Sequence, residues 1–314
     1  MMTHRAISIL CVLPDQWRDY YLDTFRESLP HARFFTPDDA PVPEDITYAF
    51  VLQPPHGYLA RFPNLKAIMP VGAGVEHVLA DDALPDVPVI RMIQPDMAQR
   101  MSEYIVQHAL NHLRRLRQIQ AAQARSEWKL FVCPAATEVT VGILGLGRLG
   151  MHAAGYLSAV GFRVRGWART PKPDCDFPAF AGRSELPAFL SECDVLVSLL
   201  PFTPDTSGLI DEKFLSLLNP GASIINASRG GIIRDEDLMA SLNSGHISEA
   251  TLDAFAIEPL PASHPYWSHP KVTVTPHCAS AALAEAVADR MQVIIETIES
   301  GGTPSPVVDR ASGY

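Results

Sequence analysis

The feature that most constrains this chain is a strand-like passage, Glu138-Val-Thr-Val-Gly-Ile-Leu144, running directly into Gly145-Leu-Gly-Arg-Leu-Gly150. The first part is apolar and rich in β-branched residues, which suits a buried strand. Apolar Leu149, Ala153, Ala154, Leu157 and Val160 then recur at helical spacing as far as Gly161, and Arg163-Val-Arg-Gly-Trp-Ala168 reads as the next strand. A GxGxxG alone is weak, because glycine turns end many strands. Between a strand and a helix it is the fingerprint of a βαβ unit that holds a dinucleotide. The glycines permit the tight turn and a close approach of backbone to pyrophosphate, and the helix N-terminus favours the phosphate charge. Gly145, Leu146, Gly147, Arg148, Leu149 and Gly150 are therefore expected to line a nucleotide.

The rest of the chain alternates strands and helices, the pattern of parallel α/β sheets. Strand-like Ala6 to Leu13 leads to a helical stripe of Trp17, Tyr20, Tyr21, Phe25 and Leu29, and Tyr48 to Leu52, Leu65 to Met69 and Val89 to Met92 read as further strands. Glu103 to Ala124 reads as one long helix, a natural connector ahead of the glycine loop. Beyond Ala168, strands are expected at Val195 to Leu200, Ser223 to Asn226, Glu249 to Asp253 and Val272 to Thr275. Helices are expected near Ser184, Asp211 and Asp235, each a candidate N-cap, with a last helix from Ala281 to Ser300.

Three of these late strands end near chemistry. Arg229 follows Ser223-Ile-Ile-Asn-Ala-Ser, Glu258 follows Leu252-Asp-Ala-Phe-Ala-Ile, and His277 follows Val272-Thr-Val-Thr-Pro. A guanidinium clamps a carboxylate bidentately. An imidazole exchanges a proton near neutral pH, and an acid beside it holds it charged. The set suits work on a small carboxylate.

The strand after the glycine loop ends Gly166-Trp-Ala-Arg-Thr-Pro-Lys172. NAD-specific units commonly place an acid there to bond the adenosine ribose. Here Ala168 stands in that place, and Arg169, Thr170 and Lys172 form a cationic cup suited to a 2′-phosphate, which favours NADPH over NADH. The alternative is a solvated basic loop.

Composition excludes several classes of partner. The 314 residues are 47% hydrophobic, enough for two cores, and the formal net charge of −10 disfavours nucleic acid and anionic membrane. No apolar run approaches a membrane span, and the stretch from Ile7 to Leu13 is too short for a secretory signal. Five scattered cysteines without a CxxC point to reduced thiols, hence the cytoplasm. Cys278 beside His277 reads as a small buried neighbour rather than a nucleophile. His108 and His112 sit four apart on the long helix but lack a third ligand, so surface or interface histidines are expected rather than a metal site. Arg114, Arg115 and Arg117 read as a solvated helix face, and His264 and His269 as structural.

Together, Gly145-Leu-Gly-Arg-Leu-Gly150, Asn226-x-x-Arg-Gly230, Glu258-Pro-Leu-Pro261 and Thr275-Pro-His277 resemble the D-isomer-specific 2-hydroxyacid dehydrogenases. Val71-Gly-Ala-Gly74, His264-Pro-Tyr-Trp267, the Trp-x-Arg-Thr string and the ending Val308-Asp-Arg-Ala-Ser-Gly-Tyr314 are similar to its glyoxylate/hydroxypyruvate reductase branch. The resemblance implies two Rossmann-like parallel-sheet domains. An NADP-binding domain over 102–283 would be inserted into a discontinuous substrate domain, 1–101 with 284–314, and the site would lie between them.

It further implies NADPH-dependent reduction of a small 2-oxo acid such as glyoxylate or hydroxypyruvate. Arg229 would bind the carboxylate and polarise the carbonyl, His277 would supply the proton, and Glu258 would orient His277. The backbone of Ala73 and Gly74 would hold the carboxylate from its other side. Trp167, Leu200, Pro201, Ala227 and Asp253 would complete the cofactor site, Asp253 facing the nicotinamide carboxamide. From the residues alone Asp253 could equally cap the next segment. By the same resemblance the long helix and Trp128-Lys-Leu130 form a dimerisation arm, with Trp128 near the partner's substrate pocket in a homodimer. Two other outcomes stay open: another member of the family, of phosphoglycerate or formate type, or a non-catalytic nucleotide sensor on the same scaffold.

Overall fold

A computed structural model describes residues 7–72, 74–94 and 96–310. The chain forms two compact units, Met1–Pro95 with Ala282–Tyr314, and Asp96–Ala281. The breaks fall at Pro95 and Ala281 rather than at Met101 and Leu283, because the connecting helix starts at Met97 and packs along its whole length within the second unit.

In the first unit, strands β1 (Ile7–Val12), β2 (Ala32–Phe35), β3 (Tyr48–Val51) and β4 (Ala67–Pro70) form a parallel sheet in the order β2-β1-β3-β4. Helix α1 (Asp15–Ser28) covers one face, with a short α2 (Glu76–Leu79) after β4. Residues of α1 (Tyr21, Leu22, Phe25) share one buried cluster with Met291, Ile294 and Ile295 from the end of the chain. Strand β2 was not anticipated; Ala-Arg-Phe-Phe has no β-branched residue to mark it. The expected strand from Val89 to Met92 forms only single bridges, Val89 to Ile68 and Ile90 to Val307. Pro88 before it and Pro306 opposite lack the N–H groups a ladder would need.

The second unit starts with α3 (Met97–Leu113) and α4 (Leu116–Ala124). One continuous helix was expected. Arg115 takes a left-handed backbone, φ 54, and breaks it. After the bend, the Arg117 guanidinium donates to the Pro270 carbonyl (3.0 and 3.1 Å) and the Thr273 hydroxyl (2.9 Å), so Arg117 is a strut rather than part of a solvated face. Strands β5 (Thr140–Leu144), β6 (Arg163–Ala168), β7 (Ala179–Ala181), β8 (Val195–Ser198), β9 (Ala222–Asn226), β10 (Ile247–Leu252) and β11 (Val272–Val274) form a parallel sheet ordered β11-β10-β9-β8-β5-β6-β7. Chain order runs outward both ways from β5 and β8, which places the topological switch point between them.

Alternate strand residues serve opposite faces. Val141, Ile143, Val195, Val197 and Ile225 pack with α3 and with α5 (Arg148–Val160), while Leu144, Leu196 and Ile224 join the cluster under α6 (Gly182–Leu190), α7 (Glu212–Ser216) and α8 (Asp235–Ser244). Gly161, φ 105, ends α5 as expected, and the Asp211 carboxylate accepts from Phe214 N (2.8 Å) to cap α7. Asp235 is the first residue of α8 rather than its cap, and α6 starts at Gly182 ahead of Ser184. The last helix, α9 (Ala284–Glu299), belongs to the first unit. No helix among the described residues is long and apolar enough to cross a membrane.

Candidate active site

Three adjacent strands of the larger sheet, β9, β10 and β11, carry Arg229, Glu258 and His277 in the loops at their C-terminal ends. The first loop is shaped by Asn226, which is fully buried at the end of β9. Its side-chain NH2 donates to the Arg229 carbonyl (3.1 Å), and its side-chain oxygen accepts from the Ser228 hydroxyl (2.6 Å). The Ser228 hydroxyl lies 3.0 Å from that of Ser198 at the end of β8. Arg229 therefore emerges from a turn tied to two strands, and its Nη1 donates to the Ser228 carbonyl (2.8 Å).

The second loop folds back on itself. Phe255 N donates to Glu258 Oε1 (2.8 Å), and the other carboxylate oxygen, Oε2, lies 2.8 Å from His277 Nδ1. An ionised carboxylate only accepts, so Nδ1 carries the proton and Nε2 is left to face outward. Nε2 has no protein partner among the described residues. Burial pushes the Glu258 carboxyl up, but the hydrogen bond and charge of His277, the Phe255 N–H and the Arg229 charge together hold it below the usual carboxylate range. The Arg229 charge thus acts on the same carboxylate that grips His277.

His277 itself has φ 52. A left-handed backbone costs an L-residue about 1–2 kcal/mol, so the loop must be held. Asp253, 2% exposed, does this: Oδ1 accepts from Thr275 Oγ1 (2.6 Å) and Cys278 N (2.9 Å), and Oδ2 accepts from Ala279 N (2.9 Å). Both oxygens of Asp253 serve the loop that carries His277, more than twenty residues further along the chain, rather than the segment that directly follows Asp253. Cys278 is exposed rather than buried as a residue, yet partial desolvation of its sulfur together with the Asp253 charge pushes the thiol up, away from a reactive thiolate.

The glycine loop has the shape a dinucleotide needs. Gly145, φ 117, could not carry a β-carbon without meeting the Leu199 carbonyl oxygen at 2.9 Å, and one on Gly150 would lie 2.0 Å from the Gly145 oxygen. A β-carbon on Gly147, which caps α5, would meet nothing within 4 Å. Space that a side chain would fill thus lies open at the N-terminus of α5, where pyrophosphate fits.

Beyond β6, Arg169, Thr170 and Lys172 are exposed, and none is in an ion pair among the described residues. Arg148 and Pro201 are exposed and Leu149 half-buried. Trp167 is built into the core, its indole N–H donating to the Gly182 carbonyl (2.8 Å). Leu146, Leu200 and Ala227 are buried too.

Of the expected carboxylate-binding turn in the first unit, Ala73 lies outside the described residues, and Gly72 has φ 77. Gly74 is half-buried beyond the end of β4. Residues 311–314 of the C-terminal motif are also outside the described residues. Trp128, 104% exposed, stands in a row with Leu130 and Val132, both exposed, on a segment without regular structure.

Two residues of the site were missed from sequence, Thr275 as more than a neighbour of His277, and Tyr104. Tyr104, His108 and His112 recur every four residues along one line of α3, a polar stripe on a helix face that otherwise enters the core. His108 and His112 are buried, not at the surface, because this line faces β10: His112 Nε2 lies 2.9 Å from Thr251 Oγ1. Burial and the charges of His108 and Arg117 push His112 down to about 3, so it stays neutral.

The profile described as D-isomer specific 2-hydroxyacid dehydrogenase, NAD binding domain, matches residues 106–279. Glyoxylate/hydroxypyruvate reductase A of Serratia proteamaculans is 40% identical over 303 residues, 94% of this chain and 96% of that protein. A D-isomer specific 2-hydroxyacid dehydrogenase from Xanthobacter autotrophicus, crystallised with NADPH and MES, is 39% identical with a TM-score of 0.88, covering 98% of this chain and 100% of that one. The NADPH-dependent glyoxylate/hydroxypyruvate reductase of Sinorhizobium meliloti, solved with NADP and sulfate, is 34% identical with a TM-score of 0.91 over the same shares.

Proposed function

The chain belongs to the D-isomer-specific 2-hydroxyacid dehydrogenase family, and from that premise we propose that it reduces a small 2-oxo acid, glyoxylate or hydroxypyruvate, to the 2-hydroxy acid with NADPH. The observation that carries this reading is the His277–Glu258 pair at 2.8 Å beside Arg229, on three adjacent strand ends of a sheet whose β5 leads into the glycine loop. The reductase relatives and the NADPH-bound and NADP-bound solved neighbours support it.

Gly145, Gly147 and Gly150 with the N-terminus of α5 would hold the pyrophosphate, Arg148 and Leu149 would lie along it, and Arg169, Thr170 and Lys172 would hold the 2′-phosphate. Leu146, Trp167, Leu200 and Ala227 would contribute backbone and shape, Pro201 an exposed edge, and Asp253 would stand near the nicotinamide. NADPH supplies hydride to the carbonyl carbon when bound. Arg229 binds the substrate carboxylate and draws electron density toward the carbonyl oxygen. His277 delivers a proton from Nε2 to that oxygen, and Glu258, bonded at Nδ1, fixes the ring and offsets its charge. We also propose a cytoplasmic homodimer in which Trp128 reaches the partner's substrate; the exposed row Trp128, Leu130 and Val132 supports an arm that is covered in an assembly.

NADPH oxidation followed against a panel of 2-oxo acids tests the reading. Turnover is expected on glyoxylate and hydroxypyruvate. Tight nucleotide binding with no turnover on any member would overturn it in favour of a nucleotide sensor.

A further inference from the structure

Thr275 Oγ1 donates to Asp253, since a carboxylate only accepts. Its one hydrogen thus used, Thr275 Oγ1 can only accept from Tyr104, whose hydroxyl lies 2.7 Å away. The donors therefore run one way, from Tyr104 on α3 through Thr275 to Asp253. The same Asp253 oxygen accepts from Cys278 N, so Thr275 and Cys278, which bracket Pro276 and His277, are fastened to one carboxylate. Between them His277 is held at φ 52, with its own N–H donating to the Thr275 carbonyl (3.0 Å). The Tyr104 ring is set in turn by His108, ring centroids 4.3 Å apart.

We propose that Tyr104 is a positioning residue for His277, acting through Thr275 and Asp253 to hold its imidazole in line for proton delivery in the reductase. Burial and the Asp253 charge push the Tyr104 phenol up, the Thr275 hydrogen bond opposing them, so it remains a donor at all working pH values. A hydroxyl that merely filled space between α3 and the sheet would have no reason to end a one-way chain at the carboxylate that clamps both sides of a left-handed histidine. Among the described residues, the other side-chain hydrogen bond between α3 and this loop lies at its far end, where the Met97 carbonyl accepts from Ser280 Oγ (3.0 Å), three residues beyond His277.

The inference rests on His277 as proton donor, and the experiment separates the two. Tyr104→Phe keeps the ring and removes only the oxygen. In the full-length enzyme it should lower kcat for glyoxylate by about three- to tenfold, leave KM for NADPH within about twofold, and raise the solvent deuterium isotope effect on kcat, because a misplaced imidazole makes proton delivery more limiting. Thr275→Val should behave likewise, Thr275→Ser should recover most of the lost rate, and the Tyr104→Phe/Thr275→Val double variant should be no slower than Thr275→Val alone. Wild-type kcat and isotope effect in Tyr104→Phe, or losses that multiply in the double variant, would overturn the proposal. If the wild type reduces no 2-oxo acid, the functional reading fails, and the ring resonances of 15N-labelled His277 still decide: a shift in Tyr104→Phe supports positioning, and an unchanged spectrum removes it.

Discussion

Gly230 lies so close to Phe255 that a β-carbon on it would sit 1.9 Å from the Phe255 carbonyl carbon. The loop after β9 and the loop after β10 meet backbone to backbone at this point. One step before Gly230 stands Arg229, and Phe255 N holds the Glu258 carboxylate. The contact sets the spacing between guanidinium and carboxylate. Gly230→Ala must push the two loops apart, and overpacking of this kind costs about 1–3 kcal/mol. The variant should lose activity out of proportion to its fall in melting temperature. Full activity would show that the loops do not need this approach.

Arg229→Ala should weaken substrate capture and carbonyl polarisation together. A hydrogen bond to a charged group contributes about 1.5–3 kcal/mol, or roughly 10–150-fold in kcat/KM. Arg229→Lys should recover little, since an ammonium cannot reproduce the planar fork. His277→Ala should lose kcat with NADPH binding intact. Steady-state kinetics with a nucleotide titration checks both, and near-normal rates in either variant would refute the assignments.

Glu258→Gln keeps the shape of the 2.8 Å bond to His277 Nδ1 but removes the ionised acceptor. A hydrogen bond to a charged group contributes about 1.5–3 kcal/mol, so kcat should fall by roughly tenfold or more with NADPH binding intact, and a wild-type kcat in steady-state kinetics would mean Glu258 acts only as a brace. The same substitution bears on stability. Because the folded Glu258 carboxyl is held below its ordinary value of 4.5, its contribution is complete above that value and is lost as pH falls through the lower folded value. Wild type should lose more stability than Glu258→Gln between about pH 5 and pH 3 in chemical denaturation.

The loop after β6 should read the 2′-phosphate. Ala168→Asp with Arg169→Ser places an acid where the ribose hydroxyls would lie and removes the cation. The NADPH/NADH ratio of kcat/KM should swing by at least about tenfold, or 1.4 kcal/mol. Equal use of both cofactors by the wild type, or an unchanged ratio in the double variant, would place phosphate recognition elsewhere.

The exposed row at Trp128, Leu130 and Val132 predicts assembly. Sedimentation should give a dimer at micromolar concentration. Trp128→Ser should raise KM for the oxo acid if the tryptophan reaches the partner's substrate, and leave it unchanged if it only anchors the arm. A monomer would remove both ideas.

Local sequence determined much of this protein. The β5–glycine–α5–β6 passage was legible because strand periodicity, glycine chemistry and helix termination all act within a few residues of one another. Arg229, Glu258 and His277 were legible for a related reason: each follows an apolar strand, and parallel strands put their C-terminal loops at one edge. What sequence could not show is which strands become neighbours. Only the sheet order places β9, β10 and β11 side by side, joining residues 229, 258 and 277. The bend at Arg115 was hidden because no glycine or proline marks it; the bonds Arg117 makes with Pro270 and Thr273 arise from chain more than a hundred residues away. Tyr104 was hidden in the same way. On a helix it is one more half-buried aromatic, and only the tertiary fold turns its hydroxyl onto Thr275, because a hydrogen bond depends on distances of a few tenths of an ångström that no periodicity encodes.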